Sequence, residues 1–326
     1  MLKFYVAEKD SLQAITQEAV GANLARLAWV DLLNPTDEEE SYLEKQLKID
    51  IPTRAEMHEI ELSNRLYQEN GALYATATIL TGADTPAPET HAITFVLIAN
   101  CLVTVRYSDP QFIRIFRERM QKYGFASCQG GAVLAGLLEA IVNRVADTLE
   151  AAGHHINSMA RTVFRPDPQI IAAKNKPDFA EILRQIGIKG DLISKTRESM
   201  VSISRLISFV NYASHLPAGS PEHSKMESVR HDIAALTDHA GFLANKMSFL
   251  LDATLGMISI EQNAIIKIFS VAAVVFLPPT LVASIYGMNF NAMPELHWAF
   301  GYPMAIIFMI LSAYLPYTFF RKKGWL

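Results

Sequence analysis

The chain has 326 residues, 29 Lys and Arg against 33 Asp and Glu, a formal net charge of −4 and a mean hydropathy of +0.16. No excess of basic residues exists to neutralise phosphates, so composition excludes a general nucleic-acid binder. Charges are scattered through residues 1–265, whereas Ile268–Phe320 holds a single one, Glu295, and that stretch poses a different solvent problem.

The first 125 or so residues predict a small α/β domain. Ala25–Leu33 is rich in strand formers and stops at Asn34-Pro35. Thr36-x-x-Glu39 and Thr53-x-x-Glu56 are capping boxes, each opening a helix. Asn70-Gly71 marks a two-residue hairpin leading into the alternating strand Ala72–Leu80. Ile93–Ile98 and Cys101–Tyr107, separated by Ala99-Asn100, form a second hairpin. Pro110 then sits at a helix start, and Gly124 closes that helix. The two cysteines, Cys101 and Cys128, are too few for a disulfide framework or a zinc site, and Cys101 in its apolar run reads as a buried thiol. The N-terminal MLKFYVAEKD lacks the apolar run of a signal peptide, so the large soluble part is expected in the cytoplasm.

From Gly130 the strand signals stop. Gly130–Phe164 and Phe179–Ala213 have helical periodicity, broken at Arg165-Pro166-Asp167-Pro168 and again across Leu216–Pro221. No proline then occurs before Pro278, so one helix is expected from about Glu222 into the apolar region, approaching ~100 Å at 1.5 Å per residue. Along it Val229, Ile233, Leu236, Ala240, Leu243, Met247, Leu250, Thr254 and Met257 follow heptad spacing. Self-association of parallel stalks through this seam is the preferred reading. An amphipathic helix packed on its own domain is the alternative.

Ile268–Ile285 is 18 residues and Trp298–Phe320 is 23 residues, both without charge, and each suffices to cross ~30 Å of hydrocarbon. Lys267 precedes the first span and Arg321, Lys322 and Lys323 follow the second, while Gly287–His297 has neither Lys nor Arg. The positive-inside rule then places both termini in the cytoplasm. Within the first span Asn263, Ile266, Ser270, Ala273, Leu277, Thr280, Ser284 and Gly287 alternate steps of three and four, and the same period extended backward reaches Ser259 and Asp252. Such a small and polar stripe is either helix-packing glue or the wall of a pore, and two helices enclose a pore only in several copies around an axis.

The outer end of the first span reads Tyr286-Gly287-Met288-Asn289-Phe290, followed by Met293-Pro294-Glu295-Leu296. A lone Gly-Met-Asn is weak evidence. Here it closes one span, leads through Met-Pro-Glu-Leu into another, and is followed by a basic cluster and Trp325-Leu326. The stretch Ile265–Leu326 thereby resembles the CorA magnesium transporters of Gram-negative bacteria, and the soluble part matches in order and proportion.

That resemblance implies an α/β N-terminal cytoplasmic domain, long stalk helices and two transmembrane helices, assembled as a homopentameric, funnel-shaped channel in the inner membrane. The implied division is 1–125, 126–265 and 266–326, the last comprising a first span of about 266–286, an external loop 287–297, a second span of about 298–320 and a basic tail 321–326. Gly287, Met288 and Asn289 would form the external mouth, Asp252, Asn263 and Thr280 polar pore-facing positions, and Ile266, Phe269 and Leu277 a hydrophobic constriction. Phe269 stands where some members carry an aliphatic residue and lies one step off the stripe. Glu295 would add negative potential at the mouth. The implied cargo is Mg²⁺, with Co²⁺, Ni²⁺ and Mn²⁺ also carried. Mg²⁺ would act as both substrate and regulator, with no covalently bound cofactor. The family senses intracellular magnesium through acidic residues between soluble domains; Asp84, Glu89, Glu227 and Asp232 are candidates without a motif to single any out.

Chemistry agrees with this cargo. Mg²⁺ sheds water reluctantly, so neutral amide oxygens meeting the hydrated ion suit conduction better than a ring of carboxylates. No G-x-x-x-x-G-K-[ST] loop is present to suggest ATP as the driver. The rivals are a zinc transporter of the same superfamily, which Met-Pro-Glu-Leu and the basic end disfavour, and a membrane-tethered enzyme, disfavoured by the lack of HExxH, G-x-S-x-G, CxxC or GxGxxG. His154-His155 and His231 with His239 read as surface or packing residues in preference to metal ligands.

Overall fold

The computed structural model describes residues 1–8, 11–85, 87–123, 129–164, 178–213, 220–288, 293–294 and 298–325. They fall into two compact units, Met1–Leu251 and Asp252–Leu326.

In the first unit β1 (Leu2–Glu8) pairs antiparallel with β2 (Ser11–Ile15), and a short helix α1 (Val20–Asn23) leads to β3 (Leu27–Leu33). Helices α2 (Asp37–Leu47) and α3 (Arg54–Met57) both begin on complete capping boxes, Thr36 with Glu39 and Thr53 with Glu56. After α4 (Leu62–Arg65), strands β4 (Leu66–Glu69) and β5 (Ala72–Thr81) meet through Asn70-Gly71, both at positive φ (49° and 76°), the geometry that Asn-Gly favours. Ala99, at φ 47°, joins β6 (Glu89–Ile98) to β7 (Cys101–Arg106).

The seven strands lie in the order β2-β1-β3-β7-β6-β5-β4, antiparallel except where β3 runs parallel to β7. Trp29, Val30, Leu32, Leu102, Val103 and Val105 are fully covered in the two central strands. The β1–β2 hairpin is absent from the sequence expectation, because Leu2–Ile15 carries no Gly or Pro to mark its turn.

Helix α5 (Gln111–Tyr123) follows, and then α6 (Gly130–Phe164), whose first residue is pressed on the sheet. The Gly130 amide donates to the Asn100 carbonyl at 2.7 Å. A Cβ there would lie 2.6 Å from backbone atoms of Cys101 and Leu102, so any larger residue must push the helix off β7. Helix α7 (Phe179–Ala213) covers β5. Because β4 pairs only with Ala72–Ala75, the rest of β5 has an open edge, and α7 supplies the missing acceptors. Ser202 Oγ accepts from the Thr78 amide at 2.9 Å and Ser199 Oγ from the Leu80 amide at 3.2 Å.

Helix α8 runs unbroken from Pro221 to Tyr286, as the absence of internal proline before Pro278 leads one to expect. The heptad seam, however, serves the alternative packing. Val229, Ile233, Ala240, Leu243, Met247 and Leu250 are buried within the single chain. Beside the seam, Thr237 touches Met200 of α7, Lys246 bonds Asn157 of α6, and Phe249 stacks on Phe164 at 5.8 Å. The seam therefore holds α8 in an intrachain helical layer and is not free for stalk self-association. Heptad spacing identifies an apolar face but not its partner, and here the nearest partner is the chain itself.

Candidate ion-conducting span and its ends

Among the described residues two helices are long and apolar enough to cross a membrane: the C-terminal part of α8, and α9 (Gly301–Lys322). The polar stripe predicted along α8 remains uncovered. Asp252, Ser259, Asn263, Ser270, Ala273, Thr280, Ser284 and Gly287 are all exposed, as are Ile266 (60%), Phe269 (71%) and Leu277 (65%). The covered positions lie elsewhere on the helix. Val271 is buried and Val275, Pro278 and Val282 are half-buried, each five residues from a stripe member, or about 140° around the axis.

Local bonding fits an apolar setting. The Thr280 hydroxyl donates to the Phe276 carbonyl at 2.7 Å, so in this rotamer its proton stays within the helix while the oxygen keeps a lone pair for an outside donor, such as water on a hydrated cation. Pro278 and Pro279 sit inside the helix and withhold two amide protons from it, which spanning helices tolerate where neighbours or water satisfy the freed carbonyls.

At the outer end the Gly287 amide donates to the Ala283 carbonyl at 2.9 Å and the Met288 amide to the Ile285 carbonyl at 3.2 Å, closing the last turn. A Cβ on Gly287 would approach the Ala283 oxygen to 3.1 Å, a tight contact that glycine avoids. Met288 is exposed. Asn289 and Glu295 lie outside the described residues. At the other end, Arg321 and Lys322 occupy the last turn of α9, where cations complement the helix dipole, and Lys323 caps it. Trp325 stacks on Phe320 at 5.3 Å, and the Lys267 ammonium lies 5.9 Å from the Trp325 ring, so the basic residue before the first span and the tail after the second meet at one aromatic group.

The candidate regulatory acids are mostly engaged inside the chain. Asp84 pairs with Arg144, Glu89 with His91 at 3.2 Å, and Glu227 with Arg230 at 2.8 Å and with Asn211. Among the described residues no three His, Cys, Asp or Glu side chains gather as a metal cluster. His154 faces Glu150 at 3.7 Å on the exposed surface, and His239 stacks on Phe242.

Sequence reading follows the buried heptad and passes over what runs beside it. Counting back from Asp252 by the pore-stripe period gives Phe249, Asn245 and Phe242, all exposed, with Phe242 at 59% and Phe249 at 62%. The same three-and-four alternation was available to find them, but two phenylalanines and an asparagine make no recognisable pattern beside a clean heptad.

The family model for CorA-like Mg²⁺ transporter proteins matches residues 25–322. Relatives named magnesium transport protein CorA, from Pasteurella multocida and Escherichia coli K12, are each 33% identical over 326 residues, which is 100% of both chains. The complete structure of the CorA magnesium transporter from Methanocaldococcus jannaschii superposes with a TM-score of 0.75 over 100% of this chain and 99% of that one, at 16% identity, a likeness of fold.

Proposed function

The chain belongs to the CorA family, and from that premise we propose that it is a magnesium channel of the bacterial inner membrane, in which five copies place their α8 spans around one pore. The observation that carries this reading is the uncovered stripe from Asp252 to Gly287, which within the span sets Ser270, Thr280 and Ser284 on a segment otherwise suited to lipid. Polar groups at membrane depth need protein or water beside them, and the stripe stays bare in the single chain, so copies of the chain around a wet axis supply both.

In this arrangement the soluble region 1–265 and both termini lie in the cytoplasm. Lys267 and Arg321–Lys323 are held at the inner face, and the loop 287–297, which lacks Lys and Arg, faces outward. Gly287, Met288 and Asn289 ring the outer mouth. Five Asn289 amide oxygens accept hydrogen bonds from the waters of hydrated Mg²⁺, selecting it without stripping its shell. Glu295 raises the local cation concentration at the mouth. Thr280, Asn263 and Asp252 offer successive weak sites, and weak sites allow the ion to leave. Ile266, Phe269 and Leu277 form the apolar narrowing.

The membrane potential drives the flow, since a divalent ion crossing 100 mV gains about 4.6 kcal/mol. Function is thus conduction and not catalysis. Intracellular Mg²⁺ regulates the channel, and Co²⁺, Ni²⁺ and Mn²⁺ pass by the same route because their hydrated forms present similar donors.

Magnesium influx into liposomes containing the purified chain tests the reading. A potential of negative interior should accelerate uptake, and native mass spectrometry in detergent should give a pentamer. No flux, or a stable monomer or dimer, would overturn it. Zinc uptake exceeding magnesium uptake in the same vesicles would move the chain to the zinc-transporting branch.

A further inference from the structure

A cleft of about 420 Å³ opens between the α4–β4 corner and α7, and none of its lining residues belongs to the candidate span or to the regulatory acids considered above. Three arginines line it. Arg65 closes α4, and Arg197 and Arg205 lie two turns apart on α7, exposed on one side of that helix. The only carboxylate in the lining is Glu198, so the cleft is positive in a chain whose net charge is −4.

These guanidinium groups lack the partners that arginines find elsewhere. Arg106 pairs with Asp31, Arg184 with Glu181 and Arg230 with Glu227, but among the described residues no such ion pair involves Arg65, Arg197 or Arg205. Arg65 is half-buried. Its Nη2 donates to the Thr78 hydroxyl at 2.7 Å, while its Nε is buried with no acceptor. Burial lowers the Arg65 pKa; the charge of Glu198 opposes that and the charge of Arg205 adds to it. A partly desolvated guanidinium with a spare donor, on which Glu198 and Arg205 act in opposite directions, has room for a further acceptor in the cleft.

We infer that this cleft binds a polyphosphate anion, with the three arginines as forked donors to its oxygens and the Ile60, Leu62 and Val201 rim as a platform for an organic moiety such as a nucleoside. Guanidinium forks match phosphate oxygens in pairs and hold them more specifically than point charges do. The rim is exposed to an unusual degree for apolar side chains, Ile60 at 92%, Leu62 at 49% and Val201 at 38%. The site stands independently of the transport reading, because every residue in it belongs to the soluble unit and none lies on the span.

The test is titration calorimetry on the full chain in detergent, with divalent ions chelated, using inorganic triphosphate and ATP as separate probes. Both should bind saturably, and Arg205→Gln should weaken each by about tenfold, as should Arg65→Gln. Arg197→Gln and Arg205→Gln alter exposed side chains only, so their folded yield should match the parent, and they carry the test if Arg65→Gln folds poorly. Ile60→Ser should weaken ATP and leave triphosphate unchanged if a nucleotide is the natural occupant. Equal affinity for the two probes, unchanged by Ile60→Ser, supports the polyphosphate site and assigns it to the inorganic anion. Absence of saturable binding, or parent-like binding by the Arg197→Gln, Arg205→Gln double variant, overturns the inference whatever the flux measurements give.

Discussion

Asp31 and Arg106, 75 residues apart in sequence, meet in a two-pronged ion pair at the centre of the sheet: Arg106 Nε to Asp31 Oδ1 and Nη2 to Asp31 Oδ2, both at 2.9 Å, each side chain 1% exposed. Thr104 Oγ1 donates to the same Asp31 Oδ1 at 2.9 Å and itself accepts from the Trp29 indole at 3.0 Å. Burial works against the Arg106 charge, but the hydrogen bonds and charges of Asp31 and then Asp109 outweigh it and raise its pKa. The pair ties β3 to β7, the one parallel junction of the sheet, where no hairpin fixes the register.

Breaking one half of that pair strands the other as a buried charge. Asp31→Ala should therefore destabilise the chain by about 3–5 kcal/mol, whereas Asp31→Leu with Arg106→Met should recover most of the loss. Urea unfolding followed by tryptophan fluorescence measures both, since Trp29 lies in the same network. A single variant as stable as the parent would show that the pair is dispensable.

Cys101 tests the same core chemically. It is 6% exposed, and burial pushes its thiol up to about 12, so the reactive thiolate is scarce at any pH the fold tolerates. In a Cys128→Ser background, a thiol-reactive disulfide at pH 8 should label nothing until denaturant is added, and raising the pH to 9 should leave that unchanged. Stoichiometric native labelling would place Cys101 outside the core.

Local chemistry made much of the α/β half legible in sequence. Capping boxes at Thr36 and Thr53, and the Asn70-Gly71 turn, depend on near neighbours only, and the structure has them where expected. Long-range relations were not legible. The Asp31–Arg106 pair spans 75 residues, and the partner of the Val229–Leu250 seam is set by how α6 and α7 return. The apolar spans and the stripe were readable because a lipid solvent imposes its demands residue by residue. In the proposed assembly the stripe's open side would face other copies of the chain, a relation that one sequence does not encode as a pattern.

At the mouth, Asn289→Ala should abolish magnesium uptake while leaving expression and pentamer formation intact. The amide oxygen is lost to the waters of the arriving ion, and an alanine ring offers nothing in exchange. Asn289→Asp restores oxygens but adds five charges, so it should retain binding and slow release, seen as stronger block of one divalent ion by another. Normal transport by Asn289→Ala would refute the selectivity assignment.

The constriction gives the sharpest test, because Ile266 and Leu277 lie on the polar stripe and interrupt it. Each is exposed in the single chain, at 60% and 65%, although each is an apolar side chain among Asn263, Ser270, Thr280 and Ser284. Around an axis these positions become apolar rings, and a narrow apolar ring expels the water that a hydrated divalent ion must carry through. High intracellular Mg²⁺ would hold soluble domains together by bridging acidic groups of neighbouring copies, and its departure would let those groups repel and splay the α8 helices. Differential binding of Mg²⁺ to the two states then sets the gate. Leu277→Ser replaces an apolar ring by hydroxyls that keep water in place, so vesicles carrying it should leak magnesium at concentrations that silence the parent, and Ile266→Ser should act likewise. If both variants, singly and together, stayed as tightly regulated as the parent in the flux assay, the gate would have to be sought elsewhere on the helix.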